Sequence, residues 1–129
     1  MIEKQLSVFI ENRQGRLGEV LQVLKESGVN ILSISLADTT EYGLLRLIVD
    51  KPQEGKEKLF DAGFSAMLTD VWVAKIPHTP GGLQSVLKKI AENEINVEYM
   101  YGLTVAGADA SIVFKTSDFE KAKAIFEKE

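Results

Sequence analysis

A chain that repeats itself at a fixed offset is constrained to fold as copies of one small unit, and this sequence does so without gaps. Val29-Asn30-Ile31 recurs as Ile95-Asn96-Val97, an offset of 66 residues, and the same offset places Ile10 on Ile76, Gly15 on Gly81 and Leu17 on Leu83. Val20, Leu21, Leu24 and Glu26 fall on Val86, Leu87, Ile90 and Glu92, and further on Phe60 falls on Phe126. Leu17, Val20, Leu21 and Leu24 have the i, i+3, i+4, i+7 spacing of one buried helix face, as do Leu83, Val86, Leu87 and Ile90. Upstream of each helix, Leu6, Val8 and Ile10, and then Trp72, Ala74 and Ile76, alternate with other residues as half-buried strands do.

Two β-rich segments follow each of these helices, residues 29–37 and 43–50 in the first copy and 95–105 and 109–115 in the second, joined by short polar or glycine-containing connections. A second helix comes next. Pro52 suits its first residue in copy one, Ser117-Asp-Phe-Glu120 reads as a capping box in copy two, and Leu59, Phe60, Ile125 and Phe126 are its expected core contacts. Residues 64–70 complete copy one with a fourth strand that runs almost directly into the first strand of copy two, which has no fourth strand of its own. The fold class is therefore α+β: two tandem ferredoxin-like βαββαβ units, residues 1–70 and 71–129, the second lacking its last strand. The sheet edge beside copy two's first strand is exposed unless another element covers it. Exposed edges invite pairing, and units of about 60 residues bury too little surface to stand alone comfortably, so a homodimer is expected.

The segment with chemical content joins first strand to first helix: Asn12-Arg13-Gln14-Gly15-Arg16-Leu17 in copy one, His78-Thr79-Pro80-Gly81-Gly82-Leu83 in copy two. Glycine permits a tight turn there, and the unpaired N–H groups at the following helix start favour an anion such as an α-carboxylate. The amides of Asn12 and Asn30 both donate and accept, as a zwitterion requires. Each also has a plainer use, Asn12 as a helix cap and Asn30 and Asn96 as turn residues. Arg13 and Arg16 suit an anion or simply solvent, and His78, the single histidine, suits a carboxylate contact or a solvated loop. Tyr99 and Tyr101 share one strand face, directed to a core or to an interface.

These loops, with Gly28-Val29-Asn30-Ile31 at the start of the second strand, resemble the ACT domain, a regulatory module that binds amino acids. The likeness is strongest to the serine-sensing domain of phosphoglycerate dehydrogenases, where an Asn-Arg-Pro-Gly-x-Leu loop precedes Gly-Val-Asn-Ile. The histidine of that pattern is Ile10 here, and its loop proline is Gln14 in copy one and Pro80 in copy two. The resemblance implies a non-catalytic regulator that binds a small L-amino acid at an ACT domain interface, without cofactor or metal. It assigns the ligand contacts to residues 12–17, to Asn30 and Ile31, to residues 78–83, and to Asn96 and Val97. It further implies a partner enzyme or regulator that responds to the ligand.

Other classes fit less well. A net charge of −4 without a basic block disfavours nucleic acid and anionic membranes, and the segment where an RNA-recognition fold carries its stacking aromatics reads Gly43-Leu-Leu-Arg-Leu-Ile-Val. With no cysteine and one histidine the chain lacks thiolate nucleophiles and the ligands of a metal cluster. No Gly-x-Ser-x-Gly elbow occurs, and Gly55-Lys56 has Asp50 where a phosphate-binding loop needs glycine. Acylphosphatases share the topology and use a loop arginine with an asparagine, which Arg13 or Arg16 with Asn30 could imitate, although their longer glycine-rich loop is absent. A ligand-independent interaction module is the second alternative. The start of the chain has no apolar signal-peptide segment and no uncharged run approaches the ~18 residues of a membrane span, so a cytoplasmic location is expected.

Overall fold

The computed structural model of the chain describes residues 1–11, 13–38, 42–77, 79–103 and 110–126. In chain order its elements are β1 (Ile2–Glu11), α1 (Arg16–Glu26), β2 (Ile31–Asp38), β3 (Tyr42–Val49), α2 (Pro52–Asp61), β4 (Ser65–Lys75), α3 (Gly82–Glu92), β5 (Val97–Leu103), β6 (Ser111–Thr116) and α4 (Phe119–Phe126). They divide into two compact units, one of Lys4–Asp70 and one of Val71–Glu129 together with Met1–Glu3.

In the first unit the strands lie in the order β2-β3-β1-β4. The antiparallel register sets Leu6 opposite Leu47 and Val8 opposite Leu45, so the alternating residues of both strands share one face. Helices α1 and α2 close that face through Val20, Leu24 and Leu59, all fully buried. Pro52 opens α2 as the sequence predicts, where its missing N–H is no loss. Gly55 lets this helix lie close, since a Cβ there would stand 3.3 Å from a Leu6 methyl and 3.5 Å from one of Leu24. Full burial of each Leu or Val contributes about 1.5–3 kcal/mol, which makes this cluster the main support of the unit.

The second unit repeats the plan, with β6 between β4 and β5. Trp72 opposes Phe114 and Ala74 opposes Ile112, while Met100 opposes Phe114 from the other side. Fully buried Trp72 stacks at 4.8 Å on Phe119 and 5.6 Å on Phe126, and its indole N–H donates to the Phe119 carbonyl at 3.2 Å. Tyr99 and Tyr101 oppose Lys115 and Val113, on the face turned away from this aromatic cluster. Among the described residues no strand follows α4. The edge that the sequence left open beside the unit's first strand is met by Met1, whose main chain accepts from Val73 N–H at 2.8 Å and donates to Val73 O at 3.3 Å.

The repeat is not gapless. Through the first helix and second strand the offset is 66: Val29 N–H donates to Leu24 O and Ile95 N–H to Ile90 O. From the third strand onward it is 67, because Leu47 and Phe114 hold the same place opposite Leu6 and Trp72, and Gly55 and Leu59 are buried where Ala122 and Phe126 are. The extra residue falls in the β5–β6 connection, outside the described residues. The match of Phe60 to Phe126 is thereby corrected: Phe60 is 72% exposed, Phe126 is buried, and the true counterpart of Phe126 is Leu59. The capping box is corrected too. Asp118 caps α4, its carboxylate accepting from Lys121 N–H at 2.9 Å, whereas the Ser117 hydroxyl accepts from Asn96 N–H at 3.0 Å. Asp118 is one residue nearer the helix, where a side-chain oxygen reaches the third helical N–H.

Candidate functional site

Both strand-to-helix loops are built to one hydrogen-bond scheme. Arg13 N–H donates to Glu11 O and Thr79 N–H to Pro77 O, each at 2.8 Å. Arg16 N–H then reaches Arg13 O at 3.3 Å, and Gly82 N–H reaches Thr79 O at 3.1 Å. Gly15 and Gly81 turn the chain into the helix with φ of 88° and 83°, a left-handed conformation that favours glycine. Glu19 N–H to Gly15 O and Ser85 N–H to Gly81 O, both 3.1 Å, start the helical ladder. Between these bonds the N–H groups of Leu17 and Gly18, and of Leu83 and Gln84, meet no acceptor among the described residues. Two donors at the positive end of a helix dipole suit a carboxylate or similar anion.

The side chains of the two loops differ. Asn12 and His78 lie outside the described residues. Arg13 and Gln14 are exposed, and Arg13 Nε sits 3.5 Å from a Glu11 carboxylate oxygen. Arg16 is held: its guanidinium lies 4.4 Å above the Phe64 ring, pairs with Glu19, and keeps its Nε buried without a partner. The corresponding place in the second loop is Gly82, where a Cβ would stand 2.3 Å from the Pro77 carbonyl oxygen, so no side chain fits. Thr79, Pro80 and Gly81 are exposed. Leu17 and Ile31, and likewise Leu83 and Val97, pack on the cores of their units. What these four can offer a ligand is mainly backbone.

Asn30 and Asn96 are exposed and backbone-anchored. Asn30 N–H donates to the Asp50 carboxylate at 2.8 Å and its carbonyl accepts from Asp50 N–H at 3.1 Å, matched by Asn96 with the Ser117 hydroxyl and Ser117 N–H. Within a unit these asparagines do not join the loops. An eleven-residue helix separates them in each case, a rise of about 16 Å. A cleft of about 400 Å³ at the far end of α1 is lined by Leu21, Lys25, Gly28 and Asn30. The loop end of the second unit has its own clefts, of about 360 Å³ beside Lys75, Thr79, Gly82 and Ser85 and about 410 Å³ beside Pro80, Leu83 and Ile112. Lys75, Ser85 and Lys89, which line the first of these, escaped the sequence reading. The i, i+4 spacing of Ser85 and Lys89 was the available signal.

Among the described residues there is no group of three or more His, Asp or Glu side chains placed to hold a metal ion, and no helix is long and apolar enough to cross a membrane. The whole sequence, residues 1–129, matches the family model of the ACT domain pair. The chain belongs to that family of paired ACT domains. Among solved structures it is similar to protein BT0572 from Bacteroides thetaiotaomicron, with 34% identity, a TM-score of 0.91, and coverage of 99% of this chain and 88% of that one. It shares its fold with the regulatory subunit of aspartate kinase from Thermus thermophilus in its ligand-free form, at 19% identity, TM-score 0.67 and coverage of 98% and 91%. The corresponding subunit from Thermus flavus gives 19%, 0.65, 98% and 92%. No curated protein matches the sequence.

Proposed function

We propose that this chain is a non-catalytic, cytoplasmic regulatory protein that senses a small L-amino acid at its strand-to-helix loops. The observation that carries the reading is the loop hydrogen-bond scheme common to both units, which leaves two helix-start N–H groups without an acceptor among the described residues, beside a left-handed glycine. Membership of the ACT domain pair family supports it. In this reading the α-carboxylate meets those N–H groups, and the amides of Asn12 and Asn30, with His78 and Asn96 at the second loop, serve the ammonium and side chain. Because each loop and its own unit's asparagine stand a helix length apart, a ligand held by both kinds of residue bridges two copies of the unit, which a homodimer would supply. A partner enzyme or regulator that prefers the liganded form would then follow the amino-acid concentration, and its binding would reciprocally tighten the ligand.

A thermal-shift screen of the L-amino acids against their D-enantiomers tests this. At a hundred times Kd a true ligand stabilises by about 2.7 kcal/mol. Stereospecific hits abolished by Asn12→Ala or Asn30→Ala are expected; silence across the panel refutes the sensor. A ligand-independent interaction module would then be the better reading. It is favoured by β2, the outermost strand of its unit, whose Leu32, Ile34 and Leu36 are 43%, 47% and 51% exposed.

A further inference from the structure

The second unit has no fourth strand of its own among the described residues, yet its first strand, residues 71–75 of β4, is not left bare. Met1 and Val73 exchange both main-chain hydrogen bonds, at 2.8 and 3.3 Å, the mark of a hydrogen-bonded antiparallel pair. Continued two residues along, an antiparallel register sets Glu3 opposite Val71. Residues 1–3 belong to this unit by their packing, although the rest of β1 belongs to the other. The strand they cover is apolar and rich in β-formers. Val71 and Trp72 are fully buried, Val73 and Ala74 nearly so, and no proline, glycine or charge interrupts the run before Lys75. An edge of that composition, uncovered, is a template for another strand.

We propose that Met1–Glu3 is an edge-closing strap: it stands in for the second unit's fourth strand and masks the residue 71–73 edge from pairing with a second copy of this chain. The partner of the unmasked edge is another copy, because the uncharged run of β-formers Val71-Trp72-Val73-Ala74 offers main-chain groups and no charge, and such a segment pairs readily with an identical one. The strap is short and open to solvent on its outer side, with Met1 62% and Ile2 44% exposed, so it can leave without unfolding the core cluster of either unit.

Proline scanning of the full chain separates this from general destabilisation. Glu3→Pro removes the N–H that faces Val71, whereas Ile2→Pro removes an N–H that points away from β4, where proline is tolerated. Hydrogen exchange at Val73 is the direct readout. In the wild type its amide is protected; in Glu3→Pro protection falls by about tenfold or more while amides of β3 keep theirs, and Ile2→Pro stays near the wild type. Sedimentation velocity of Glu3→Pro shows concentration-dependent association beyond the wild-type state. A freely exchanging Val73 amide in the wild type, or equal effects of the two prolines, overturns the strap. An exposed Val73 amide without added association overturns the masking.

Discussion

Position 28 in the first unit and position 94 in the second hold the same left-handed residue after a helix, yet one is glycine and the other glutamate, with φ of 70° and 58°. Both close their helices in the same way. Gly28 N–H donates to Lys25 O and Val29 N–H to Leu24 O; Glu94 N–H donates to Ala91 O and Ile95 N–H to Ile90 O, at 3.0 to 3.2 Å. This is the Schellman arrangement, in which the left-handed position strongly prefers glycine. A non-glycine residue there costs about 1–2 kcal/mol, and glycine loses about 0.5–1 kcal/mol through its freer unfolded chain. Gly28→Ala should therefore destabilise by about 1 kcal/mol, and Glu94→Gly should stabilise by about 0.5–1 kcal/mol. A Cβ at position 28 meets no atom within 4 Å, so the loss is conformational and not steric. For a chain of this size the shifts are about 3–4 °C in Tm, downward and upward. Trp72 is the single tryptophan and fully buried in the second unit, so its fluorescence follows Glu94→Gly, with far-UV circular dichroism following Gly28→Ala. Shifts of the same sign, or both within about 0.3 kcal/mol of zero, would refute the assignment of strain to these two positions.

Phe60→Ala should change stability by less than about 0.5 kcal/mol and Phe126→Ala by about 3–5 kcal/mol, because only the second ring is buried; equal losses in urea unfolding would contradict the change of offset between the repeats. Arg16→Met gives up a guanidinium–ring contact of about 0.5–1 kcal/mol and an ion pair with Glu19 of about 0.2–1 kcal/mol, but removes a buried unpartnered Nε whose burial costs about 1–3 kcal/mol. It should be neutral to mildly stabilising in a thermal melt, and a loss above about 1 kcal/mol would show that the Nε is satisfied in solution. Gly82→Ala drives a Cβ into the Pro77 carbonyl, so it should lower stability by about 1–3 kcal/mol and blunt any amino-acid response of the second loop, while the equivalent Arg16 substitutions leave the turn intact.

The elements with a strong local signature are legible in the sequence. Leu17, Val20, Leu21 and Leu24 mark α1 because a buried helix face must return every three or four residues, and the same holds for α3. The glycine turns at 15 and 81 were legible for a similar reason, since the left-handed residue before a helix and the glycine that supplies it are one local event. The ligand contacts proposed for the loops rest on a resemblance and not on any local pattern. That Asn30 stands about 16 Å along α1 from its own loop follows from the length of the helix, which a motif comparison does not measure.

By itself, then, the sequence determined a βαββαβ unit and a second copy without the last strand, the phase of their first helices, the alternating core strands and the twin glycine loops, all of them set by neighbours within a few residues. Tertiary structure decided the rest. Which residue of α2 matches Phe126 depends on one extra residue in the second copy, because a shift of one position turns a helix by about 100° and exchanges buried Leu59 for exposed Phe60. Whether Ser117 caps α4 or anchors Asn96 depends on where β5 begins in space. And the closing of the second unit's edge rests on hydrogen bonds between Met1 and Val73, 72 residues apart, whose partners no local pattern can name. Main-chain donors and acceptors are identical at every residue, so which strand satisfies an edge is settled only when the whole chain has packed.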